Sequence, residues 1–379
     1  MRAAPCRPFN ARLIGFSVLL ATGCVAPTTH LGTVSPEMVR AEQLKQQQLV
    51  LQSEFAEQQR LLDVAQPMLV AAVPLCGKWV TTRLGIRAVN IHSFGKEYRE
   101  AASALGFNDT LSIVNVTRGS AADRAGFKVG DRVVNLNREP APTGKNAVAA
   151  FGSFLSPSPV RRGEPALATE PYRLTVRRMA ETTATHALDV AVAADTVCAY
   201  APVALKDDAL NAWADGQRVV VTTAMLRFAG TDEELAGIVA HEIAHNAMRH
   251  IDAKKKNATV GAIFGAILDV AAATQGVNTG GDFTNQGAAI GAMSYSQDFE
   301  READYVGMYI LARAGRPFAN APNLWRRMAQ ESPGSIKYAS THPTSAERFV
   351  RLEKIVAEIQ GKQSRGESLL PDTKNAQKP

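Results

Sequence analysis

The sequence predicts an α+β protein, a β-rich first part followed by a mainly helical part with a small edge-strand sheet. Two textures carry this expectation. From about Gly85 to Ala194, short apolar runs alternate with Gly, Pro and Asp, the signature of strands joined by tight turns. From about Thr196 to Gln360, apolar residues recur at helical intervals around one short strand region. The chain has 379 residues, 46% hydrophobic and 21% charged, which suits two modest folded domains with accessory segments.

The first element is a leader. Arg2, Arg7 and Arg12 flank or precede an apolar run from Leu13 to Leu20, which is followed by Ala21-Thr22-Gly23-Cys24. A basic start, a short apolar core and small residues form the layout of a signal peptide, here residues 1–23. The run is too short for a comfortable permanent span. The cysteine after the small residues resembles a bacterial lipobox, with Leu20 one place early and Ala21 in its position. That resemblance implies a lipidated Cys24 and, with Val25 next to it, an outer-membrane lipoprotein facing the periplasm. The plainer alternative is a secreted protein with a chance cysteine. The formal charge of +6 falls to about +3 once the leader's three arginines are removed, too little and too dispersed for nucleic-acid binding.

Cysteine usage fits export. With Cys6 in the leader and Cys24 lipidated, Cys76 and Cys198 remain as an even pair in an oxidising compartment. A disulfide between them would tie together the ends of the intervening region; two buried free thiols are the alternative.

Residues 24–75 read as a helical tether. Leu44, Leu51, Phe55, Leu62 and Met68 recur at approximately helical intervals in a Gln-rich, glycine-free stretch. Such a helix either holds the rest of the chain off a membrane or packs on it. Residues 76–195 form the β-rich part. Leu111-Ser-Ile-Val-Asn-Val116 reads as a strand, Gly119 to Gly126 as a turn and short helix, and Gly130 to Leu136 as a turn and second strand. Tyr172–Arg177 and Ala187–Val192 read as a closing hairpin. This succession resembles a bacterial PDZ domain, with Ala121 in place of the usual proline. Leu105-Gly106-Phe107 resembles that domain's carboxylate-binding loop. The resemblance implies capture of peptide C-termini by strand addition, or a structural spacer with the same fold.

Residues 196–360 hold the chemistry. Thr231-Asp232-Glu233-Glu234 has the form of a capping box, so a helix begins there. Leu235, Ile238, Val239 and Ala244 give it a buried stripe. On it stands His241-Glu242-Ile243-Ala244-His245. Two histidines four apart share one helix face, and zinc takes imidazole nitrogen readily. Glu242 can reach a water beside the metal and act as general base. A third ligand must come from elsewhere. Glu300 and Asp304 lie four apart on a second helix that ends near Gly315, and Glu302 serves as well as Glu300 by composition. Residues 258–291 join the two helices and read as a lid or a surface insertion. Residues 361–379 are polar and read as a disordered tail.

HExxH together with Glu300-Arg-Glu-Ala-Asp304 resembles the gluzincin metallopeptidases of the HtpX, BepA and CAAX-prenyl-protease type. The resemblance implies a zincin-type domain with one zinc ion per chain, Glu300 as third ligand, and Asp304 orienting a histidine. Asn211-Ala212, then Gly216 to Thr222, resembles the family's Asn-Ala and edge strand, which implies a place for extended substrate backbone. Thr341-His342-Pro343 with Arg348 resembles a late His-Pro…Arg element. It implies His342 near the reacting carbonyl as an oxyanion donor, or on the fourth zinc position as a block. His250 resembles a position near the helix end. A spacing of five from His245 faces it away on a continuous helix, so a capping or packing role is expected. The implied function is a membrane-anchored zinc endopeptidase acting on envelope polypeptides; an assembly factor with latent protease activity is the alternative.

Overall fold

The computed structural model describes residues 29, 32–157, 164–179, 185–275, 279–293, 296–331 and 345–372. Cys24 and His342 therefore lie outside the described residues. Two units are distinguished, one ending at Glu42 and one beginning at Gln43. The first contains the opening, exposed turns of helix α1 (Pro36–Ala71).

The larger unit begins with the rest of α1, whose C-terminal part packs on the core, the second of the two roles read for this helix. Leu61, Val64, Ala65, Met68 and Leu69, spaced as one helix face, are buried in the main core. Arg60 fastens the helix further: Nη1 donates to the Leu226 carbonyl at 2.6 Å, Nη2 to the Ala229 carbonyl at 2.7 Å, and Nε to Asp232 at 2.9 Å.

The β-rich part follows. It comprises β1 (Val80–Arg83), β2 (Ile86–Val89), α2 (Arg99–Ala104), β3 (Ser112–Val116), α3 (Ala121–Arg124) and β4 (Arg132–Leu136). After these come β5 (Glu139–Pro140), α4 (Ala147–Leu155), β6 (Tyr172–Met179), β7 (Thr185–Val192) and β8 (Asp195–Cys198). Its sheet runs β2-β3-β4-β6-β7, with β5 on β4. The closing hairpin pairs Tyr172 with Val192 and continues to Met179 and Thr185. Leu111, Ile113, Phe127, Leu174 and Val176 form its own core. Leu105-Gly106-Phe107 follows α2, and its two apolar side chains pack with Leu51 and Phe55 of α1. The outer strands of this sheet are β2, which begins just after Leu84-Gly85, and β7.

Strands β1 and β8 pair antiparallel with Val80 opposite Cys198, so the β-rich part starts and ends at one place. A disulfide joins Cys76 to Cys198 there, with Cα atoms 5.9 Å apart.

A second sheet, β10-β11-β9, is built from β9 (Ala201–Leu205), β10 (Ala212–Ala214) and β11 (Arg218–Thr222). The 216–222 segment supplies its central strand, flanked by the edge strands β10, which carries Ala212, and β9. Valines 219–221 account for this: their run is buried from both sides, as a central strand requires. Then come α5 (Thr223–Phe228), α6 (Asp232–Ala247), α7 (His250–Thr274), α8 (Asp282–Met293), α9 (Ser296–Arg313), α10 (Ala321–Glu331) and α11 (Ala346–Ser364). The tail expected from 361 onward is ordered as far as 372. Lys362 Nζ donates to the Leu370 carbonyl at 3.0 Å and to Asp372 at 2.7 Å, and the Asp372 amide donates to the Tyr305 hydroxyl at 3.1 Å.

Candidate active site

Helix α6 opens on Thr231, whose hydroxyl accepts a hydrogen bond from the Glu234 amide at 3.2 Å. Every residue from Leu235 to Ala247 is buried. The helix therefore runs through the interior, and its histidines are held by packing on all sides. Helix α9 lies against it. A Cβ on Gly307 would stand 3.2 Å from the His241 amide nitrogen, so glycine lets the two backbones approach.

That approach brings His241, His245 and Glu300 together. One donor atom from each lies within 4.8 Å of the others, and all three residues are buried. His241 Nε2 is 3.1 Å from His245 Nε2 and 3.3 Å from Glu300 Oε2; His245 Nε2 is 3.4 Å from Glu300 Oε1. Two imidazole nitrogens and a carboxylate converging on one point form a donor set suited to one zinc ion, leaving a position for water or substrate. Buried as they are, these groups would be costly to keep together without a cation. Glu242, beside His241 in sequence, is 2% exposed.

Each histidine is backed by a second group. His241 Nδ1 is 3.0 Å from Asp304 Oδ1. Arg348 grips that carboxylate with two bonds, Nε to Oδ2 at 2.8 Å and Nη2 to Oδ1 at 2.7 Å. Burial opposes ionisation of Asp304, but Arg348 and His241 outweigh it and hold its carboxyl below the usual range. An ionised Asp304 only accepts, so His241 carries its proton on Nδ1 and presents Nε2 to the metal point. Burial likewise disfavours a charged His241, yet Asp304 and Glu300 outweigh it and raise its pKa to about 9, so that metal binding at Nε2 would displace the second proton and leave the one on Nδ1. Burial and the neighbouring His241 push His245 down to about 4 against the pull of Glu300. Arg348 is itself seated on the Trp325 ring, 3.9 Å from the centroid.

The support of His245 corrects the sequence reading of His250. His250 Nδ1 is 2.9 Å from His245 Nδ1, and His250 Nε2 is 2.9 Å from Glu302 Oε2. The helix is broken between the two histidines: Arg249 adopts φ +60° and ψ +31°, and α7 restarts at His250. This left-handed residue folds His250 back onto His245. The Glu302 carboxylate accepts from Nε2–H, His250 Nδ1 is then an acceptor, and His245 Nδ1–H donates to it. The chain leaves His245 Nε2 facing Glu300. Glu302, offered by composition as a ligand, supports one instead. No spacing rule on a continuous helix could have found either role.

The remaining expected residues fall as follows. Ala212 lies on the edge strand β10, which packs against α6, and the Asn211 amide donates to Thr222 Oγ1 at 3.2 Å.

Comparison with known proteins places these residues in context. The profile of Peptidase family M48 matches residues 175–356, a stretch containing every residue of the cluster. A beta-barrel assembly-enhancing protease of Yersinia pestis is 33% identical over 146 residues, covering 37% of this chain and 29% of that protein. The protein of the same name from Escherichia coli O157:H7 is 31% identical over 156 residues, 38% of this chain and 32% of the relative. The mitochondrial metalloendopeptidase OMA1 of Saccharomyces cerevisiae is 28% identical over 146 residues, 37% and 41% respectively. The chain thus spans about a third of the length of these bacterial relatives.

Proposed function

Because the chain carries the zinc metallopeptidase domain of Peptidase family M48 over residues 175–356, we propose that it hydrolyses internal peptide bonds of cell-envelope polypeptides. The observation that carries this reading is the buried convergence of His241, His245 and Glu300 with Glu242 beside them. When bound, zinc polarises water and the scissile carbonyl. Glu242 takes a proton from the attacking water and returns it to the departing amide nitrogen. Asp304, clamped by Arg348, and His250, backed by Glu302, keep the two imidazoles turned toward the same point. The edge strand β10, with Asn211 and Ala212 at its start, holds substrate backbone extended by strand pairing. His342 serves the site from the segment before α11, as a donor to the developing oxyanion or as a resting block.

In this reading residues 1–23 direct export, lipidated Cys24 anchors the chain in the outer membrane facing the periplasm, and the PDZ-like β-rich part receives peptide C-termini. Quality control of damaged or misassembled envelope proteins is the corresponding role. The name shared by the bacterial relatives mentions beta-barrel assembly and so supports a second reading, an assembly factor; in this reading its protease activity is usually latent. Glu242→Gln separates them. It keeps zinc and lowers cleavage of an unfolded polypeptide by about 10²–10⁴-fold. Wild type and variant that cleave alike would remove the enzymatic reading, whereas a cleavage-dead variant that supports envelope-protein assembly as well as wild type would favour the second.

A further inference from the structure

Helices α7 and α8 form a hairpin between the two ligand-bearing helices. Its seam is built from glycine: a Cβ on Gly265 would meet the Phe283 carbonyl oxygen at 2.0 Å, and one on Gly287 the Gly261 carbonyl oxygen at 2.2 Å. Its far end is closed by Asp269, whose carboxylate accepts from the Thr284 hydroxyl and amide at 2.6 and 2.9 Å and from the Thr279 hydroxyl. Apart from His250, the only buried residue of α7 is Gly265.

The outward side of the hairpin is apolar. Val260, Ile263, Phe264, Ile267, Leu268 and Val270 are 45–66% exposed. At 100° per residue they cover an arc of roughly 160° on α7. On one flank this surface continues into a groove of about 560 Å³, walled by Val260, Phe264 and Leu268 on one side and Phe283 on the other, with Lys256 at its end. Between Asn257 and Gln297 the sequence has two charged residues, Asp269 and Asp282, both at the turn end. The helix is long and apolar enough to cross a bilayer. At the opposite end stand Lys254, Lys255 and Lys256. Lys254 reaches toward Glu300, 4.0 Å from Oε1, and the other two are exposed.

We propose that this hairpin lies on an anionic lipid bilayer, its apolar face in the acyl boundary and Lys255 and Lys256 among the headgroups. A protein partner needs a bounded patch with a polar rim. Here the apolar arc takes up nearly half the helix; its three lysines stand at one end, where Asp252 is paired with Arg249, while Asp269 and Asp282 stand at the other. That division suits a helix lying in a headgroup boundary. The carboxylate nearest the apolar stretch, Asp269, is held inside the hairpin by its own turn. This inference is independent of the zinc chemistry, and its test does not read activity.

The test uses the full chain carrying Phe264→Trp, with Val129→Trp in the β-rich part as an exposed control, mixed with phosphatidylglycerol vesicles containing brominated acyl chains. The added emission at position 264 is expected to shift to the blue and be quenched at least about twofold more than that at 129. Reversing both lysines, Lys255→Glu with Lys256→Glu, is expected to weaken vesicle binding at the hairpin by about tenfold or more. Circular dichroism establishes that each variant is folded. Unquenched emission at 264, or binding indifferent to the lysine reversal, would overturn the proposal. So would a 264 signal that responds only to protein concentration, marking a second copy, or only to added unfolded polypeptide, marking a substrate surface.

Discussion

Glu300 and Glu302 share a helix but face opposite ways, because two residues along α9 turn the direction by about 200°. Glu300 points into the buried cluster, whereas Glu302, with a side chain 53% exposed, reaches His250 from the rim. Their substitution therefore has graded consequences. Glu300→Ala removes a ligand and is expected to abolish stable zinc binding. His250→Ala leaves all ligands in place and is expected to weaken zinc by about 10–100-fold in a chelator competition. His250→Asn keeps an acceptor for His245 Nδ1–H and should restore part of the loss; Glu302→Gln should cost less than His250→Ala. Unchanged zinc affinity in His250→Ala would remove the relay from the site. The HExxH pair was legible because both histidines sit on one unbroken helix. His250 was not, since its position depends on the left-handed Arg249, and no residue type at 249 announces that conformation.

At the scale of elements, the sequence was most informative where structure is local. The Thr231 cap, the α6 stripe and the closing hairpin β6–β7 follow from neighbouring residues alone. The 258–291 stretch was ambiguous because its apolar residues do not form a stripe that a core covers; they point outward. What decides its form is Asp269, a polar residue in an apolar run. Hydrogen bonds from Thr279 and then Thr284 lower its pKa to about 2. A depressed carboxylate contributes its stabilisation above the unfolded value and loses it only as pH falls through about 2. The closure therefore holds throughout the neutral range. Asp269→Ala should open the turn without unfolding the protein. Amide hydrogen exchange across residues 279–290 is expected to rise by about tenfold or more at neutral pH, with α6 and α9 unchanged. Equal protection in variant and wild type would show that the glycine seam alone closes the hairpin.

Across the whole molecule, the placement of α1 and of residues 361–372 could not be read from their polar sequences, because both depend on distant partners. Arg60 reaches carbonyls more than 160 positions away, and the Asp372 amide donates to the Tyr305 hydroxyl of α9, 67 positions back. The cysteine pair was accessible by counting, and its consequence is global. Cys76 and Cys198 both belong to the main core with α1 and α6, although 122 positions and the β-rich part lie between them. The bond thus fixes the point at which the β-rich part leaves and re-enters, beside the β1–β8 pair. In the unfolded chain it closes a loop of that length, a restriction worth about 4–5 kcal/mol in the chain-entropy description. Replacing both residues, Cys76→Ala with Cys198→Ala, should lower the melting temperature by on the order of 10 °C. It should leave zinc stoichiometry unchanged, since neither sulfur approaches the metal point. Because β1 and β8 stay paired without the bond, the β-rich core should melt together with the main core at the lower temperature. Separate transitions in calorimetry would mean that the disulfide, rather than the strand pair, couples the two cores; an unshifted transition would mean that the loop it closes is already restricted in the unfolded chain.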